Sequence, residues 1–518
     1  MHTVDASTTP SRALWVCLGL KAFLMTAVIL YAGIGLGPDE AQYWTWSRAL
    51  DWGYYSKPPG IAWQIWLGTL LFGQTEWAIR SMVIPLAAVQ AWLIYRLALA
   101  TGLLAGTALW CSLLMAFCPL GIFGSFFAIT DVGFLLFWTG ACWSVVSALS
   151  QQKAPDPLQI GAWILGGALF KWPIYFFWLF FFLSYYRRFV PPSRLRVAMG
   201  FLLSLAGLLP SLWWNASHDW ATFRHIWATL QGGSGQKAIG NPGEFLGLQA
   251  LLLSPLLFLL LLCALWHTFR QWRHLPPPLF FCGLVTLASL GMACTIACFQ
   301  KVQGNWITLA YPTAFIVLGW DVFQEHPRRA RWAKLGLGLS LGLTTLLFSV
   351  PSLYTHPSLS VYAPPYPLNS LKHNMGWDLL SSALTRMGYN PTEHFLFSDK
   401  YQTTSLLSFY PEQKQRAYFL NLQGTRKNQF SYWTGLEEEQ QGKTGYFVWV
   451  ENMPHLRRNW QEKLNFYQSE LPRYFESVEF LGLTPLVYDR STIAKAALIF
   501  RCKNCLGSLP PDPSHSLY

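Results

Sequence analysis

Long apolar runs, separated by short polar loops, occupy the first two thirds of the chain. An α-helix needs roughly 20 mostly apolar residues to cross a bilayer. The pattern predicts about eleven membrane-crossing helices, and we expect an α-helical polytopic membrane protein. The candidate spans lie near residues 14–36, 79–100, 102–120, 131–149, 158–171, 173–186, 197–214, 245–268, 278–298, 306–323 and 335–352.

Two short runs depart from this pattern. The runs 158–171 and 173–186 meet at Lys171-Trp172-Pro173. Proline removes a helix donor and a lysine at membrane depth is costly, so we expect a broken or closely paired hairpin there. The run 61–73 is also short for a crossing, and we expect a helix along the membrane interface within an outer loop, 37–78.

The periodicity changes beyond a proline-rich linker that begins near residue 353. Short β-rich runs alternate there with helical patterns near 374–388 and 455–468, which indicates an α/β arrangement. We therefore expect a membrane module at 1–352, a small extracytoplasmic α/β domain at 353–507 and a disordered tail at 508–518. The expected strands are 394–398, 416–420, 446–450 and 496–501.

Composition and charge support the membrane assignment. The 518 residues are 53% hydrophobic and only 12% charged, which excludes an ordinary soluble protein. Lysine and arginine collect on one side when the spans are alternated, so the net charge of +12 reports topology rather than nucleic-acid binding. The N-terminus is then cytoplasmic, and the first run is expected to stay as an anchor in the inner membrane. The residues that set this orientation are Arg12, Arg96, Lys153, Arg187, Arg188, Arg194, Arg196, Arg270, Arg273, Arg328, Arg329, Arg331 and Lys334.

Ten cysteines are present, and eight lie in or beside apolar runs, where cysteine behaves as a small buried hydrophobe. Cys502 and Cys505 form a C-x-x-C in the outer domain. We expect a small local disulfide there rather than a metal site, since a zinc site needs more ligands.

The stretch 37–60 carries the most distinctive polar chemistry of the chain. It combines two carboxylates, two cations and several aromatic rings close to the outer surface. Carboxylates can accept a proton from a hydroxyl, and cations can neutralise a phosphate. The alternative is an interfacial loop with an ordinary aromatic belt. The candidate residues are Asp39, Glu40, Tyr43, Trp44, Arg48, Tyr55 and Lys57.

Other outer loops also carry charged, amide and aromatic side chains. Asp131 lies at the start of an apolar run, where it is either a second site carboxylate or a helix N-cap. Lys171 is either near the site or a snorkelling lysine. Arg224, in the outer loop 215–243, either assists an anionic ligand or faces solvent. Asn305 and Trp306 bring an amide and an indole to the outer interface, and one shared site accounts for all these loops.

At this point the motifs resemble a known family: the polyprenyl-phosphate-dependent glycosyltransferases of the GT-C class, in the group that includes aminoarabinose lipid A transferases and, more distantly, protein O-mannosyltransferases. The resemblance covers nearly the whole chain. Lys171-Trp-Pro stands where Lys-Gly-Pro is expected, and Gln303 precedes Gly-Asn-Trp where Pro-Asn-Trp is more usual. The matching motifs are Asp39-Glu40-Ala-Gln-Tyr43-Trp44, Ser56-Lys57-Pro58-Pro59, Thr130-Asp131, Gly304-Asn305-Trp306, Asp399-Lys-Tyr401-Gln402 and Asn428-Gln429.

The resemblance implies a GT-C fold and a hexosyl or pentosyl transferase. It implies transfer of a sugar, with inversion, from a polyprenyl-phosphate donor to a lipid, glycan or protein hydroxyl of the cell envelope. Asp39 would orient or deprotonate the acceptor, supported by Glu40 and Asp131. The donor phosphate would be held by Lys57, with Arg48 or Arg224, and the substrates by Tyr43, Trp44, Tyr55, Asn305 and Trp306. A divalent metal ion is left open as a cofactor.

Two other functional classes are alternatives for this chain. A transporter or flippase of similar span count tends to show internal repeats and charges at mid-membrane depth. This chain shows no obvious repeat, and its informative charges lie at the outer mouth. A structural or assembly protein would leave Asp39 and Lys57 unexplained.

Overall fold

The computed structural model describes residues 8–188, 190–230, 240–356, 358–452 and 455–506. The first part of the chain forms a helical bundle, and the remainder forms a smaller domain around one sheet. The bundle helices are α1 (Thr8–Tyr31), α2 (Pro38–Arg48), α3 (Gly60–Phe72), α4 (Glu76–Ser81), α5 (Val83–Ala100), α6 (Ala105–Phe117), α7 (Pro119–Phe123), α8 (Thr130–Ser150), α9 (Pro157–Ala168), α10 (Phe176–Arg188), α11 (Arg194–Leu205), α12 (Leu209–Ser217), α13 (Ala221–Leu230), α14 (Pro242–Leu253), α15 (Pro255–Arg270), α16 (Pro277–Ala297), α17 (Tyr311–Trp320) and α18 (Ala330–Thr355).

Helices occur at all eleven predicted spans. Among the described residues, seven helical segments are long and apolar enough to cross a membrane by themselves. The short helix predicted at 61–73 is present as α3. The chain is therefore a multi-pass membrane protein, and the total of eleven crossings stays a prediction. The seven segments are Thr9–Tyr31, Glu76–Ala100, Thr130–Ser150, Arg194–Ser217, Pro277–Ala297, Gly304–Glu325 and Pro327–Thr355.

Two interruptions shape the bundle. The predicted break near Lys171 is confirmed, because α9 ends at Ala168 and a short 3-10 helix, Trp172–Tyr175, precedes α10. The span predicted at 245–268 is formed by two helices, α14 and α15, which meet at an angle of 109°. Ser254 has a φ of 80° at this corner, and the following Pro255 supplies no backbone donor.

The C-terminal domain contains a five-stranded sheet with the strand order β2-β1-β3-β5-β4. β1 pairs in parallel with β2 and β3, whereas β3, β5 and β4 are antiparallel. The four predicted strands are confirmed, and β4 is an additional strand. The elements are α19 (Trp377–Arg386), β1 (His394–Ser398), α20 (Tyr401–Phe409), β2 (Tyr418–Phe419), α21 (Leu436–Glu439), β3 (Thr444–Asn452), α22 (His455–Glu470), β4 (Phe475–Asp489) and β5 (Thr492–Cys505).

The predicted disulfide between Cys502 and Cys505 is wrong, because both thiols are free. Both residues lie in β5, an extended strand. Residues three apart in a strand are separated by about 10 Å, whereas a disulfide needs Cα atoms within about 7 Å. The segment 508–518, predicted as a disordered tail, lies outside the described residues.

The sheet domain packs directly on the stretch that contains α2. The Tyr410 hydroxyl donates to the Glu76 carboxylate at 2.6 Å and accepts from the Leu36 amide at 2.7 Å. The rings of Trp44 and Phe409 meet edge to face at 5.1 Å. One apolar core therefore joins α2 and α3 to the sheet domain and places α20 beside α2.

Candidate active site

The start of α2 is fixed by a buried ion pair. Arg80 donates from Nε and Nη2 to the two carboxylate oxygens of Glu40, at 2.9 and 2.7 Å. The same carboxylate accepts the backbone amides of Gly37 and Ala128, at 3.0 and 2.9 Å. Arg80 is 0% exposed and also donates to the carbonyl of Ile34 at 2.9 Å. All these bonds engage the Glu40 carboxylate with protein groups and hold the start of α2 in place.

Asp39 precedes Glu40 by one residue, about 100° around the helix, and is accessible to solvent. Loss of hydration raises the pKa of the Asp39 carboxyl, the ammonium of Lys57 opposes this shift, and the charge of Glu40 adds to it. Tyr43 follows one helical turn later on the same face. Burial and the charges of Asp39 and Asp131 raise the pKa of Tyr43 well above its usual range, so this phenol is a neutral donor.

Lys57 is presented by a tight turn. Tyr54 and Lys57 exchange backbone hydrogen bonds at 3.1 and 3.4 Å, and the Gly60 amide donates to the Leu169 carbonyl at 2.7 Å. A side chain at Gly60 would come within 2.6 Å of that carbonyl, so the close approach requires glycine. Burial and the charge of Lys171 lower the pKa of Lys57, while Asp39 and Asp131 raise it.

Asp131 holds a second ion pair beside this group. Its Oδ1 accepts from the Lys171 Nζ at 2.7 Å and from the Thr308 hydroxyl at 3.3 Å, and its Oδ2 accepts from the Asn305 amide at 3.4 Å. The helix N-cap is Ile129 and receives no side-chain cap bond, so Asp131 is not a capping residue. Lys171 is 17% exposed in this pair, which excludes a snorkelling lysine.

The sheet domain and α13 cover the cleft. Tyr401 at the start of α20 lies near Asp39, and the Arg426 guanidinium bonds to the Tyr401 side chain. Arg426 also approaches the His225 Nδ1 at 3.4 Å. Burial, with the charges of Arg426 and Lys57, lowers the pKa of His225 to about 4, so this imidazole is neutral at pH 7.

The structure thus brings together Asp39, Tyr43, Lys57 and Asp131, with Asn305 bonded to Asp131. Four further residues complete the group and were not among the predicted site residues. Lys171 and Tyr401 were visible in the sequence as parts of family motifs, whereas His225 and Arg426 were not singled out because their partners are far away in sequence. These four are Lys171, His225, Tyr401 and Arg426.

Other predicted site residues lie outside this group. Tyr55 lies at the edge of the group, because it is buried and its ring lies 4.9 Å from that of His225. Trp44 donates from its indole to Gln74 at 2.7 Å, and Trp306 is 45% exposed.

Arg224 forms an exposed ion pair with Asp219 at 2.8 Å. Arg48 is exposed at the end of α2, with its guanidinium 5.9 Å from the Trp44 ring. Neither arginine is among the charges that shift the pKa of Asp39 or Lys57.

Three residues that could together bind a metal ion lie away from the candidate active site. His267, Asp321 and His326 have ligand atoms within 4.8 Å of one another. The Asp321 carboxylate also accepts from Arg329 at 2.8 Å, and this residue begins a π-helix, Asp321–Glu325, beyond α17. Thr308 contacts Asp131 at the other end of α17, so this set is roughly 20 Å along the helix from the candidate active site.

Comparison with known proteins finds similarity to one family model and to one curated protein. A family model described as dolichyl-phosphate-mannose-protein mannosyltransferase matches residues 56–214. The lipid A galacturonosyltransferase RgtD of Rhizobium johnstonii is 27% identical over 373 residues, which cover 68% of this chain and 73% of that protein.

Two solved structures share the architecture. The crystal structure of ArnT from Cupriavidus metallidurans bound to undecaprenyl phosphate matches with a TM-score of 0.59 at 14% identity, covering 93% of this chain and 97% of that one. The oligosaccharyltransferase of Archaeoglobus fulgidus matches with a TM-score of 0.52 at 12% identity, covering 96% of this chain and 75% of that one. These matches confirm the predicted resemblance and the GT-C fold with its small C-terminal sheet domain.

Proposed function

We infer that this chain is an integral-membrane glycosyltransferase of the GT-C class, and we propose that it transfers a sugar from a polyprenyl-phosphate donor to an envelope hydroxyl. The observation that carries the proposal is the solvent-accessible Asp39 carboxylate with the ammonium of Lys57 acting on it in one cleft. We propose lipid A as the acceptor to test first and a galacturonosyl group as the first sugar, since RgtD is named for both.

The chemistry requires a base near the acceptor and a cation near the leaving group. In our proposal the Asp39 carboxylate accepts the proton of the acceptor hydroxyl while its oxygen attacks the anomeric carbon. The bond from that carbon to the phosphate oxygen breaks, and polyprenyl phosphate leaves with the electron pair. The raised pKa of Asp39 makes this carboxylate a stronger base than a fully hydrated one.

Lys57 is the residue that we assign to the donor phosphate. Lys171 is already paired with Asp131, and Arg224 is paired with Asp219. Asp131 then serves to hold Lys171 and to order the turn that contains Asn305 and Thr308. A cation held in a partly dry cleft stabilises the charge that grows on the leaving phosphate.

Replacing Lys57 by alanine should weaken both donor binding and transfer. We expect a loss of roughly 2–4 kcal/mol of transition-state stabilisation, which is about a 30- to 1000-fold fall in kcat/KM. Arg224→Ala is the matched control, because it removes an exposed cation and should change kcat/KM by less than about threefold. Equal effects of the two substitutions would remove Lys57 from the phosphate site.

The activity itself is tested with purified protein in liposomes, radiolabelled polyprenyl-phosphate galacturonic acid and lipid A. Appearance of labelled lipid A supports a transferase. Movement of the labelled donor across the bilayer without transfer to any acceptor would instead support the flippase alternative.

We also propose that the sheet domain and the stretch 37–60 lie outside the cytoplasm, in the inner membrane of the cell. The two parts are packed into one core, so they share a side whatever the number of crossings. A reporter that is active only in the periplasm should work when fused after residue 360. A fusion after residue 273, in a loop rich in arginine, should be inactive. The opposite pattern from stably made fusions would reverse the topology.

A further inference from the structure

A cavity opens between α2 and the sheet domain, away from Asp39. Its volume is about 570 Å³, which lies within the range of small-molecule binding sites. Three of the residues that line it are cations, three are large aromatics, and none is acidic. These six residues are Arg48, Lys414, Arg416, Trp44, Tyr432 and Trp433.

The three cations differ in the partners that they already have. The Arg48 guanidinium is exposed and makes no ion pair within the described part of the chain. Lys414 donates to the Phe409 carbonyl at 2.9 Å, which leaves two of its three N–H donors for other partners. Arg416 donates to the Thr434 carbonyl at 2.6 Å and lies 3.6 Å from Glu439.

Arg416 has an unpaired buried nitrogen and two aromatic neighbours. Its Nε is a buried donor without a hydrogen-bond partner among the described residues. Its guanidinium stacks on the rings of Tyr418 and Trp433, at 5.1 and 5.4 Å from their centres. Thr434 and Glu439 already engage the Nη atoms of Arg416, so Arg416 shapes the wall of the cavity, and Arg48 and Lys414 are the cations open to a phosphate or carboxylate.

The cavity is connected to the candidate active site by two helices. Asp39 and Arg48 lie at opposite ends of α2, about 13 Å apart along the axis. Tyr401, near Asp39, and Ser408, which lines the cavity, lie about 10 Å apart on α20. Nine residues at about 100° each place the Asp39 and Arg48 side chains on opposite faces of α2, so an acceptor that reaches both has to pass around this helix. Tyr401 and Ser408, seven residues apart, share one face of α20 and mark the path between the two sites.

We propose that this cavity binds an anionic sugar unit of the acceptor, one that bears a phosphate or a carboxylate and is remote from the reacting hydroxyl. The partly exposed rings of Tyr432 and Trp433 pack on the sugar, and the cations pair with its charge. This inference rests on the proposed function for the position of the reacting hydroxyl, but binding of the acceptor does not require transfer.

The test compares Arg48→Gln and Lys414→Gln with wild-type protein, using bisphosphorylated lipid A and its enzymatically dephosphorylated form as acceptors. Each substitution should raise the KM for the phosphorylated acceptor about tenfold and leave kcat within about twofold. The KM for the dephosphorylated acceptor should not change. Arg331→Gln is the matched control. Arg331 also lies over a neighbouring tryptophan ring, that of Trp332, at 5.3 Å, but it does not line the cavity.

A binding measurement separates this inference from the proposed function. Fluorescently labelled phosphorylated lipid A should bind to wild-type protein in detergent and about tenfold more weakly to Arg48→Gln, whether or not any sugar is transferred. Unchanged binding and unchanged KM in both cavity variants would overturn the inference while leaving the transferase in place. Displacement of the lipid by inorganic phosphate at equal concentration would overturn the claim that a sugar unit is recognised.

Discussion

Replacement of Asp39 by asparagine should lower the rate of sugar transfer by about 10²- to 10⁴-fold. Asparagine keeps the shape of the side chain but cannot accept the proton of the acceptor hydroxyl at neutral pH. Donor binding should survive, because Lys57 is unchanged, so the loss should appear in kcat rather than in the KM for the donor. Single-turnover transfer to lipid A in detergent measures this effect directly.

Two controls make the Asp39 result specific. Asp51→Asn makes the same change in the same polar stretch, where the carboxylate accepts the Trp52 amide at 2.7 Å, and it should retain most activity. The Asp39→Asn protein should also be at least as stable as wild type. Its carboxyl has a pKa raised by burial, so the ionised form destabilises the fold once the pH exceeds that pKa.

The same shift sets the sign of the pH dependence. A base must be deprotonated to act, so the wild-type rate should fall as the pH is lowered through a pKa above the usual range of aspartate. Near-wild-type transfer by a well-expressed Asp39→Asn protein would rule out the assignment, and Asp131 would become the carboxylate to examine.

Replacement of Arg80 by methionine should be the most damaging change to the fold. It leaves the buried Glu40 carboxylate without its cation, and breaking one partner of a buried pair costs about 3–5 kcal/mol. The apparent Tm in detergent should fall by many degrees, and transfer should fall with it because the start of α2 loses its anchor.

The double variant Arg80→Met with Glu40→Gln distinguishes this cause from a simple packing loss. Removing the orphaned charge should restore a large part of the lost stability. Arg473→Met is the surface control, since it breaks an exposed pair with Glu470 and should cost less than about 1 kcal/mol. A double variant as unstable as Arg80→Met alone would contradict the buried-charge explanation.

The sequence by itself determined the class of protein and the position of its chemistry. Apolar runs long enough to cross a bilayer are a local property, so helices occur at all eleven predicted places. The strands 394–398 and 446–450 were likewise readable from short β-rich runs. The motifs around Asp39 and Lys57 pointed to the fold that the comparisons support.

Local pattern was insufficient where a distant contact or a backbone corner decides the outcome. The additional strand β4 has mixed exposure and pairs with β5 through several irregular registers, so it lacks a clean alternation. The bend between α14 and α15 depends on the φ of Ser254, which the apolar pattern of 245–268 conceals.

The roles of neighbouring polar residues were decided only by tertiary structure. Asp39 and Glu40 are adjacent carboxylates with the same local signal, yet a helix turns by about 100° per residue and sends them to different surroundings. Glu40 meets Arg80 in the interior, whereas Asp39 meets Lys57 in a cleft open to solvent. Lys171 and Arg426 join the group from remote parts of the chain, because packing of the bundle and the sheet domain, rather than spacing along the sequence, determines which charges share a cleft.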